Sequence, residues 1–184
     1  MQDDEESLIR RAQGGERQAF GTLVQQHQGR VFSFIRRLCG NSDHALDLTQ
    51  DTFIKAWHAL PDWRPEARLQ TWLLRIARNT TIDALRRRQP GIEPLPEEHM
   101  LVAPGPTPLH QLESRRRLAQ LERLISQLPT GQREVLLLRE VDGLAYREIA
   151  DTLDISEGTV KSRLARARDA LLEARAALTG DSDD

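Results

Sequence analysis

The sequence predicts an all-α fold of two small helical domains joined by a Pro-rich linker. Apolar residues recur at helical spacing on both sides of the chain's middle, and no run of alternating β-branched residues interrupts them. Between Pro90 and Pro108 stand six prolines and two glycines. Proline removes a backbone donor and disfavours helix at the residue before it, so this stretch is expected to be extended or disordered. At 184 residues the chain suits one ordinary domain or two small ones, and the linker decides for two.

Each element has a local cause. In the first block, residues 5–13 form a short helix. Residues 16–39 carry Phe20, Leu23, Val24, His27, Val31, Phe34, Ile35 and Leu38 at helical spacing, a core stripe on which His27 reads as a core histidine rather than a ligand. Ser42 or Asp43 caps the next helix, Asp47 suits its first turn, and it runs to about Leu60. Pro61 and Pro65 bracket a loop, and a last helix covers Leu69 to Arg88. In the second block, Leu112, Leu118, Leu121, Leu124, Ile125 and Leu128 make an amphipathic helix from near Leu109, stopped by Pro129. Residues 130–141 make another, with Val135, Leu136 and Leu138 inside and Gly143 at its end. Two shorter helices follow.

Composition narrows the function. Hydrophobic residues make up 39% and charged residues 29%, a soluble globular balance. No apolar run approaches the roughly 18 residues of a membrane span. The acidic start, Met1 to Glu6, is not a secretory signal. A cytoplasmic location without direct membrane insertion is therefore expected. The one cysteine, Cys39, excludes an intramolecular disulfide and a Cys-rich zinc site, and reads as a small buried hydrophobe.

The net charge of −2 conceals blocks. Residues 1–89 carry 14 Arg or Lys against 11 Asp or Glu, and residues 113–178 carry 12 against 11. The linker, 90–112, has three acids and no Arg or Lys, and the tail, 179–184, adds three more acids and is expected to be disordered. Of the 26 bases 24 are Arg. Codon usage in a GC-rich genome explains most of that excess, but the guanidinium fork also suits phosphate and guanine.

Residues 145–168 have the pattern of a helix-turn-helix. Ala150 is the small residue where two helices touch, and Ile149, Leu153, Ile155, Val160 and Leu164 line the inner faces. Asp154 stands where a left-handed residue is needed, and it tolerates that region better than most. Ser156 is a natural N-cap. Outward positions of the second helix are Glu157, Thr159, Lys161, Ser162, Arg163 and Arg166, polar or basic as a major-groove reader requires. The alternative is an amphipathic hairpin with a solvated face.

Two further segments carry candidate chemistry. On the helix 43–60, Thr49, Phe53, Ala56 and Leu60 share one side, and Asp47 and Asp51 share another, with Gln50 nearby and Lys55 one turn on. Three readings stand: a metal or acid/base site with His44, a solvated face with an Asp51–Lys55 pair, or a docking face for a basic partner. Residues 61–88 place Trp63 and Trp72 among seven arginines. Leu69, Leu73, Ile76, Ala77 and Thr80 can face a core; Arg75, Arg78, Asn79, Arg86, Arg87 and Arg88 cannot all do so. Aromatics interleaved with Arg suit single-stranded nucleic acid, which needs a stacking surface and cations for phosphate. Against this, Trp72 fits a core position, and Arg86 to Arg88 suit the negative end of a helix dipole.

In order, these segments resemble the bacterial sigma factors. Asp47-Leu48-Thr49-Gln50-Asp51-Thr52-Phe53-Ile54-Lys55-Ala56-Trp57 resembles their core-polymerase-binding helix. Leu69-Gln70-Thr71-Trp72-Leu73-Leu74-Arg75-Ile76-Ala77-Arg78-Asn79, ending in Asp83-Ala84-Leu85-Arg86-Arg87-Arg88, resembles their promoter-melting and minus-ten helix. Leu128-Pro129, Gln132-Arg133-Glu134-Val135 and Gly158-Thr159-Val160-Lys161-Ser162-Arg163 resemble their minus-thirty-five-binding domain. The short linker in place of a middle domain is similar to the extracytoplasmic-function subfamily.

The resemblance implies a sigma second-domain helical bundle at 1–89, a linker at 90–112, a four-helix sigma fourth domain with a helix-turn-helix at 113–178, and a tail at 179–184. It implies core polymerase binding by Asp47, Gln50, Asp51 and Phe53. It implies minus-ten contacts by Trp63, Arg64, Arg68, Arg75, Arg78, Asn79 and Arg86, with the loop Trp63–Arg68 pocketing a flipped non-template base. Ser156, Glu157, Thr159, Lys161, Ser162, Arg163 and Arg166 fall where the family contacts the minus-thirty-five element. The implied partners are core RNA polymerase, promoter DNA and an anti-sigma factor, with no cofactor, metal or catalytic residue of its own. Asp154 for the usual glycine and the loop Pro65-Glu66-Ala67-Arg68 depart from the family pattern and bear on promoter choice. The competing readings are a stand-alone helix-turn-helix regulator, a metal enzyme using His44, Asp47 and Asp51, and a decoy that only titrates a regulator.

Overall fold

The computed structural model of the chain describes residues 4–88 and 109–180. The expected linker residues 90–108, the tail residues 181–184 and the side chains of Arg88 and Leu112 lie outside the described residues. Every regular element among the described residues is helical, and the chain divides into two compact units.

The first unit is built from α1 (Glu5–Gln13), α2 (Arg17–Cys39), α3 (Ser42–Ala59), a one-turn 3-10 helix (Leu60–Asp62) and α4 (Leu69–Arg88). On α2, Leu23, Val31, Phe34, Ile35 and Leu38 are buried as expected, and α1, α3 and α4 all pack against this helix. Phe20 and Val24 are half-buried, and the Phe20 ring lies 5.0 Å from that of Trp57. His27 lies at the edge of the core with its side chain 14% exposed, and its Nε2 sits 2.8 Å from Glu5 Oε1, which ties the start of α1 to α2. Gly40 ends α2 in the left-handed conformation (φ 72°), with its N–H on the Arg36 carbonyl at 2.9 Å. Cys39 is buried, as its composition reading requires.

The cap of α3 differs from expectation by one residue. Asn41, rather than Ser42 or Asp43, accepts the His44 N–H on its side chain at 2.9 Å. Only a residue with extended backbone can present its side chain to the helix start, and Asn41 has that conformation (φ −133°, ψ 127°). On α4, Leu69, Leu73, Ala77 and Thr80 are buried, joined by Leu74 and Thr81, while Ile76 is half-buried.

The second unit contains α5 (Leu109–Gln127), α6 (Thr130–Leu136), a π-helical turn (Leu137–Val141), α7 (Tyr146–Leu153) and α8 (Glu157–Gly180). The last four residues of the expected linker, 109–112, are thus helical. Ile125 on α5 and Leu128 just after it are buried, but Leu118 and Leu121 are exposed. Pro129 breaks the chain, and Arg133 then reaches back over the end of α5. Its guanidinium donates to the carbonyls of Ile125 (3.2 Å), which also takes the Leu128 N–H, of Leu128 (2.8 Å) and of Ser126. The expected single helix over 130–141 is α6 followed by the π turn. Gly143 (φ 72°) reverses the chain, and Arg139 donates to the Leu144 carbonyl at 2.8 Å.

The last helix is longer than expected. After Leu164 the sequence is almost all Ala, Leu, Arg and Glu, strong helix formers, so α8 continues to Gly180, 24 residues in all from Glu157, and takes in two residues of the expected tail. Val135, Leu138, Ile149, Val160, Leu164 and Ala167 are buried in the core that α6 and α8 share with their neighbours.

Asp154 has φ 55°, the one non-glycine residue with positive φ among the described residues. A left-handed backbone costs L-residues about 1–2 kcal/mol, least for Asp and Asn. Asp154→Val is therefore expected to destabilise the protein by about 1–2 kcal/mol and Asp154→Gly to be neutral or mildly stabilising. Urea denaturation of the two variants checks this; equal stability of both would contradict it.

Candidate docking and nucleic-acid surfaces

The sequence of α3 sorts its residues onto two sides. Ala45, Thr52, Phe53 and Ala56 face the core. At 100° per residue, Leu46, Asp47, Gln50, Asp51 and Ile54 fall within about 140° on the other side, and all five are exposed. Leu46 and Ile54 are each 56% exposed, more than a solvated helix face requires. Phe53, expected on this surface, is only 8% exposed and belongs to the core, because it shares the Ala45–Ala56 side. Lys55 does not pair with Asp51. Its Nζ donates to Thr80 Oγ1 at 3.0 Å and links α3 to α4.

This leaves a face with carboxylates at Asp47 and Asp51 along one side of an apolar row, Leu46 and Ile54. Sequence reasoning missed that row. The signal for it is the spacing of Leu46, Gln50 and Ile54, four apart and off the core stripe. Apolar residues on a helix are assigned to the core by default, which hides it. Among the described residues, no three His, Cys, Asp or Glu side chains converge at a metal-binding distance. His44 is used through its backbone, in the cap.

A second surface lies on α4 and the loop before it. Trp72, Arg75, Asn79, Asp83 and Arg86 fall within about 80° of one another around α4. Arg75, Asn79 and Arg86 on this strip are exposed, as are Arg64 and Arg68 in the loop. Trp72 is not in the core. It is half-buried, with its ring 5.8 Å from that of Trp63, which is half-buried too, the planes tilted by 45°. Two aromatic faces thus border a strip of guanidinium groups. Arg78 is off this strip: it is half-buried, and its Nη1 donates to Asn79 Oδ1 at 3.1 Å.

The third surface is the start of α8. Ser156 accepts the Thr159 N–H at 3.1 Å and meets the Thr159 hydroxyl at 2.9 Å, a side-chain N-cap. In front of it the turn closes with the Ile155 N–H on the Ala150 carbonyl at 3.1 Å. Ile149, Ala150, Leu153, Val160 and Leu164 are buried, as the helix-turn-helix pattern demands, while Ile155, expected with them, is half-buried. Glu157, Lys161, Ser162 and Arg166 are exposed. Thr159 is occupied at the cap and half-buried. The Ser162 hydroxyl donates back to the Thr159 carbonyl at 3.0 Å. Arg163 turns inward. It is half-buried over the start of α6, where a Cβ on Gly131 would lie 3.1 Å from its Nη1.

Tyr146, at the start of α7, was not among the sequence-derived candidates. Arg139 lies over its ring at 5.0 Å from Cζ to the centroid, and Lys161 at 6.0 Å from Nζ. Arg168 pairs with Glu140 at 2.5 Å, and this bond raises the Arg168 pKa. A row of cations therefore borders the exposed side of α8.

Comparisons with known proteins show the family. Residues 23–90 match the Sigma-70 region 2 family and residues 118–171 the Sigma-70 region 4 family. The RNA polymerase sigma-H factor of Pseudomonas aeruginosa is 36% identical over 179 residues, covering 92% of this chain and 93% of that protein. The ECF RNA polymerase sigma factor SigW of Bacillus subtilis is 32% identical over 172 residues, covering 89% and 92%. Among solved structures, the sigma factor RpoE of Bartonella quintana, in complex with the anti-sigma factor NepR, superposes with a TM-score of 0.69 at 26% identity, covering 84% of this chain and 94% of that one. With both sigma regions matched in order and relatives of this identity spanning nearly the whole chain, the protein belongs to the extracytoplasmic-function subfamily of bacterial RNA polymerase sigma factors.

Proposed function

We propose that the exposed side of α3 docks on core RNA polymerase, that the Trp63–Arg68 loop and the α4 strip bind and open the minus-ten element, and that α8 reads the minus-thirty-five element. The observation that carries this reading is the burial pattern of α3. A face with two exposed apolar side chains beside two carboxylates suits a protein partner better than solvent. The polymerase performs the chemistry; the chain itself supplies no catalytic residue, cofactor or metal, and works in the cytoplasm. On this reading residues 1–89 handle core binding and the minus-ten element, and 113–178 the minus-thirty-five element. An anti-sigma factor holds the protein inactive, a reading supported by the relative solved with such a partner.

Within the docking surface, Asp47, Gln50 and Asp51 act together with Leu46 and Ile54. On α4, Arg75, Asn79 and Arg86 contact the single strand, with Arg64 and Arg68 from the loop. Trp63 and Trp72 offer stacking surfaces, each stacked base contributing about 1–3 kcal/mol in proteins of this kind. On α8, Glu157, Lys161, Ser162 and Arg166 face the groove, while Ser156 and Thr159 hold the helix start, whose free N–H groups suit a backbone phosphate.

Run-off transcription tests the whole reading. The purified chain is mixed with bacterial core polymerase lacking sigma, on a template carrying the DNA upstream of its own coding sequence. A transcript of defined start is expected. Core binding without any transcript from a panel of such templates would favour a decoy, and neither binding nor transcript would return the stand-alone regulator.

Two substitution sets divide the surfaces. Leu46→Arg combined with Ile54→Arg is expected to weaken core polymerase binding by about 100-fold, as loss of a hot spot does. Stability should change by no more than about 0.5 kcal/mol, because both side chains are exposed. Arg166→Ala should weaken binding to minus-thirty-five duplex and lower the salt slope of binding by about 1 if it neutralises a phosphate. Titrations of labelled duplex at several salt concentrations read this; an unchanged affinity would remove Arg166 from the interface.

A further inference from the structure

The proposed function makes no use of α1, which also lies outside the residues matching the region 2 family. One side chain of α1 nevertheless reaches the loop assigned to the minus-ten element. Gln13, its last residue, donates from Nε2 to the Leu60 carbonyl at 3.1 Å and to the Trp63 carbonyl at 2.9 Å. A primary amide nitrogen has two N–H groups, so both are used. The two carbonyls bracket the 3-10 turn that opens the loop, and the Leu60 carbonyl also takes the Trp63 N–H at 3.1 Å.

Gln13 is itself held in place. Leu8 and Ala12 are buried on the same helix, Gly15 (φ 90°) turns the chain directly after it, and Arg11 closes that turn on Glu16 with bonds of 2.8 and 2.5 Å. That pair also holds the Glu16 carboxyl below its usual pKa. Beyond Trp63 the anchoring ends, since every side chain from Arg64 to Arg68 is exposed. The loop's departure point is therefore set where Gln13 grips it and where the Trp63 ring rests on Trp72.

We propose that Gln13 is a positioning residue for minus-ten recognition. By fixing both ends of the Leu60–Asp62 turn it sets where the Trp63–Arg68 loop presents its pocket, and so which base that pocket accepts. The inference rests on the reading of that loop as the base reader.

The test uses the full chain with core polymerase and a template pool whose minus-ten segment is randomised. Sequencing the transcribed templates gives the base preference at each position. Gln13→Met keeps the shape and removes both donors; Gln13→Lys changes the shape and keeps donors. With two anchoring bonds lost, Gln13→Met is expected to flatten the preference at the loop-read base by about tenfold, and Gln13→Lys to retain it within about twofold. Core binding and minus-thirty-five duplex binding should stay unchanged in both. A packing role alone would reverse the order, Met retaining the preference and Lys losing it, and that result overturns the proposal, as does an unchanged preference in both. If the Met variant does not fold, the Lys variant decides: loss of preference in folded protein overturns the proposal. Arg64→Ala and Arg68→Ala separate the two levels. If they leave the preference untouched, the loop reading itself fails; if they shift it and Gln13→Met does not, only the role of Gln13 fails.

Discussion

The first unit depends on α2 as its common partner. Phe34, Ile35 and Leu38 are almost wholly buried, and α1, α3 and α4 each cover part of the same helix. A helix has only one stripe to bury. Once α3 and α4 commit theirs to this core, the opposite sides are free and their composition is no longer set by packing. That division is what the proposed function of the two helices rests on. Phe53 and Ala56 hold α3 down, while Leu46, Asp47, Gln50, Asp51 and Ile54 remain outside. Leu74, Ala77 and Thr81 hold α4, while Arg75, Asn79 and Arg86 remain outside. The Lys55–Thr80 bond links the two helices, so the faces proposed for docking and for nucleic acid are carried by one packed pair.

The second unit depends on chain reversals that local chemistry makes cheap. Arg133 donates to the carbonyls at and just past the end of α5, and α6 starts immediately after Pro129. Gly143 turns the chain into α7, where Glu148 reaches back to the Ala145 N–H at 2.8 Å. Asp154 and the Ser156 cap then launch α8. Each reversal orients the next helix, and the last one aims Glu157, Lys161, Ser162 and Arg166 outward. The departure from glycine at 154 leaves that geometry intact, because a carboxylate side chain short enough to tolerate the left-handed region is enough.

Helix positions and the helix-turn-helix were legible in the sequence because period, prolines and glycines act locally. Errors arose where tertiary context competes with pattern. Phe53 sits within a motif associated with docking, yet its own angular position puts it in the core. Leu118 and Leu121 continue the stripe of α5 beyond the part that its neighbours cover. The same ambiguity hid Leu46 and Ile54. An apolar residue on a helix says that it avoids water, not which protein it meets, and only the burial of its neighbours separates the two.

Arg163 shows the limit of reading a recognition helix by charge alone. Its place in the sequence is that of a groove-facing residue, and its charge suits phosphate. It nevertheless lies over Gly131, where the absence of a Cβ leaves room for the guanidinium plane. A glycine at the second position of α6 and an arginine on α8 are more than thirty residues apart, so no local pattern links them. Their contact joins two helices of the second unit and removes one cation from the exposed side of α8. The cations left on that border are Lys161 and Arg166, with Arg139 stacked on Tyr146 beside them. An aromatic ring shared by two cations restrains their stems without neutralising either charge. Fixing a charge before DNA arrives lowers the side-chain entropy lost on binding, which favours α8 as a surface prepared for phosphate and base edges over a merely solvated helix face.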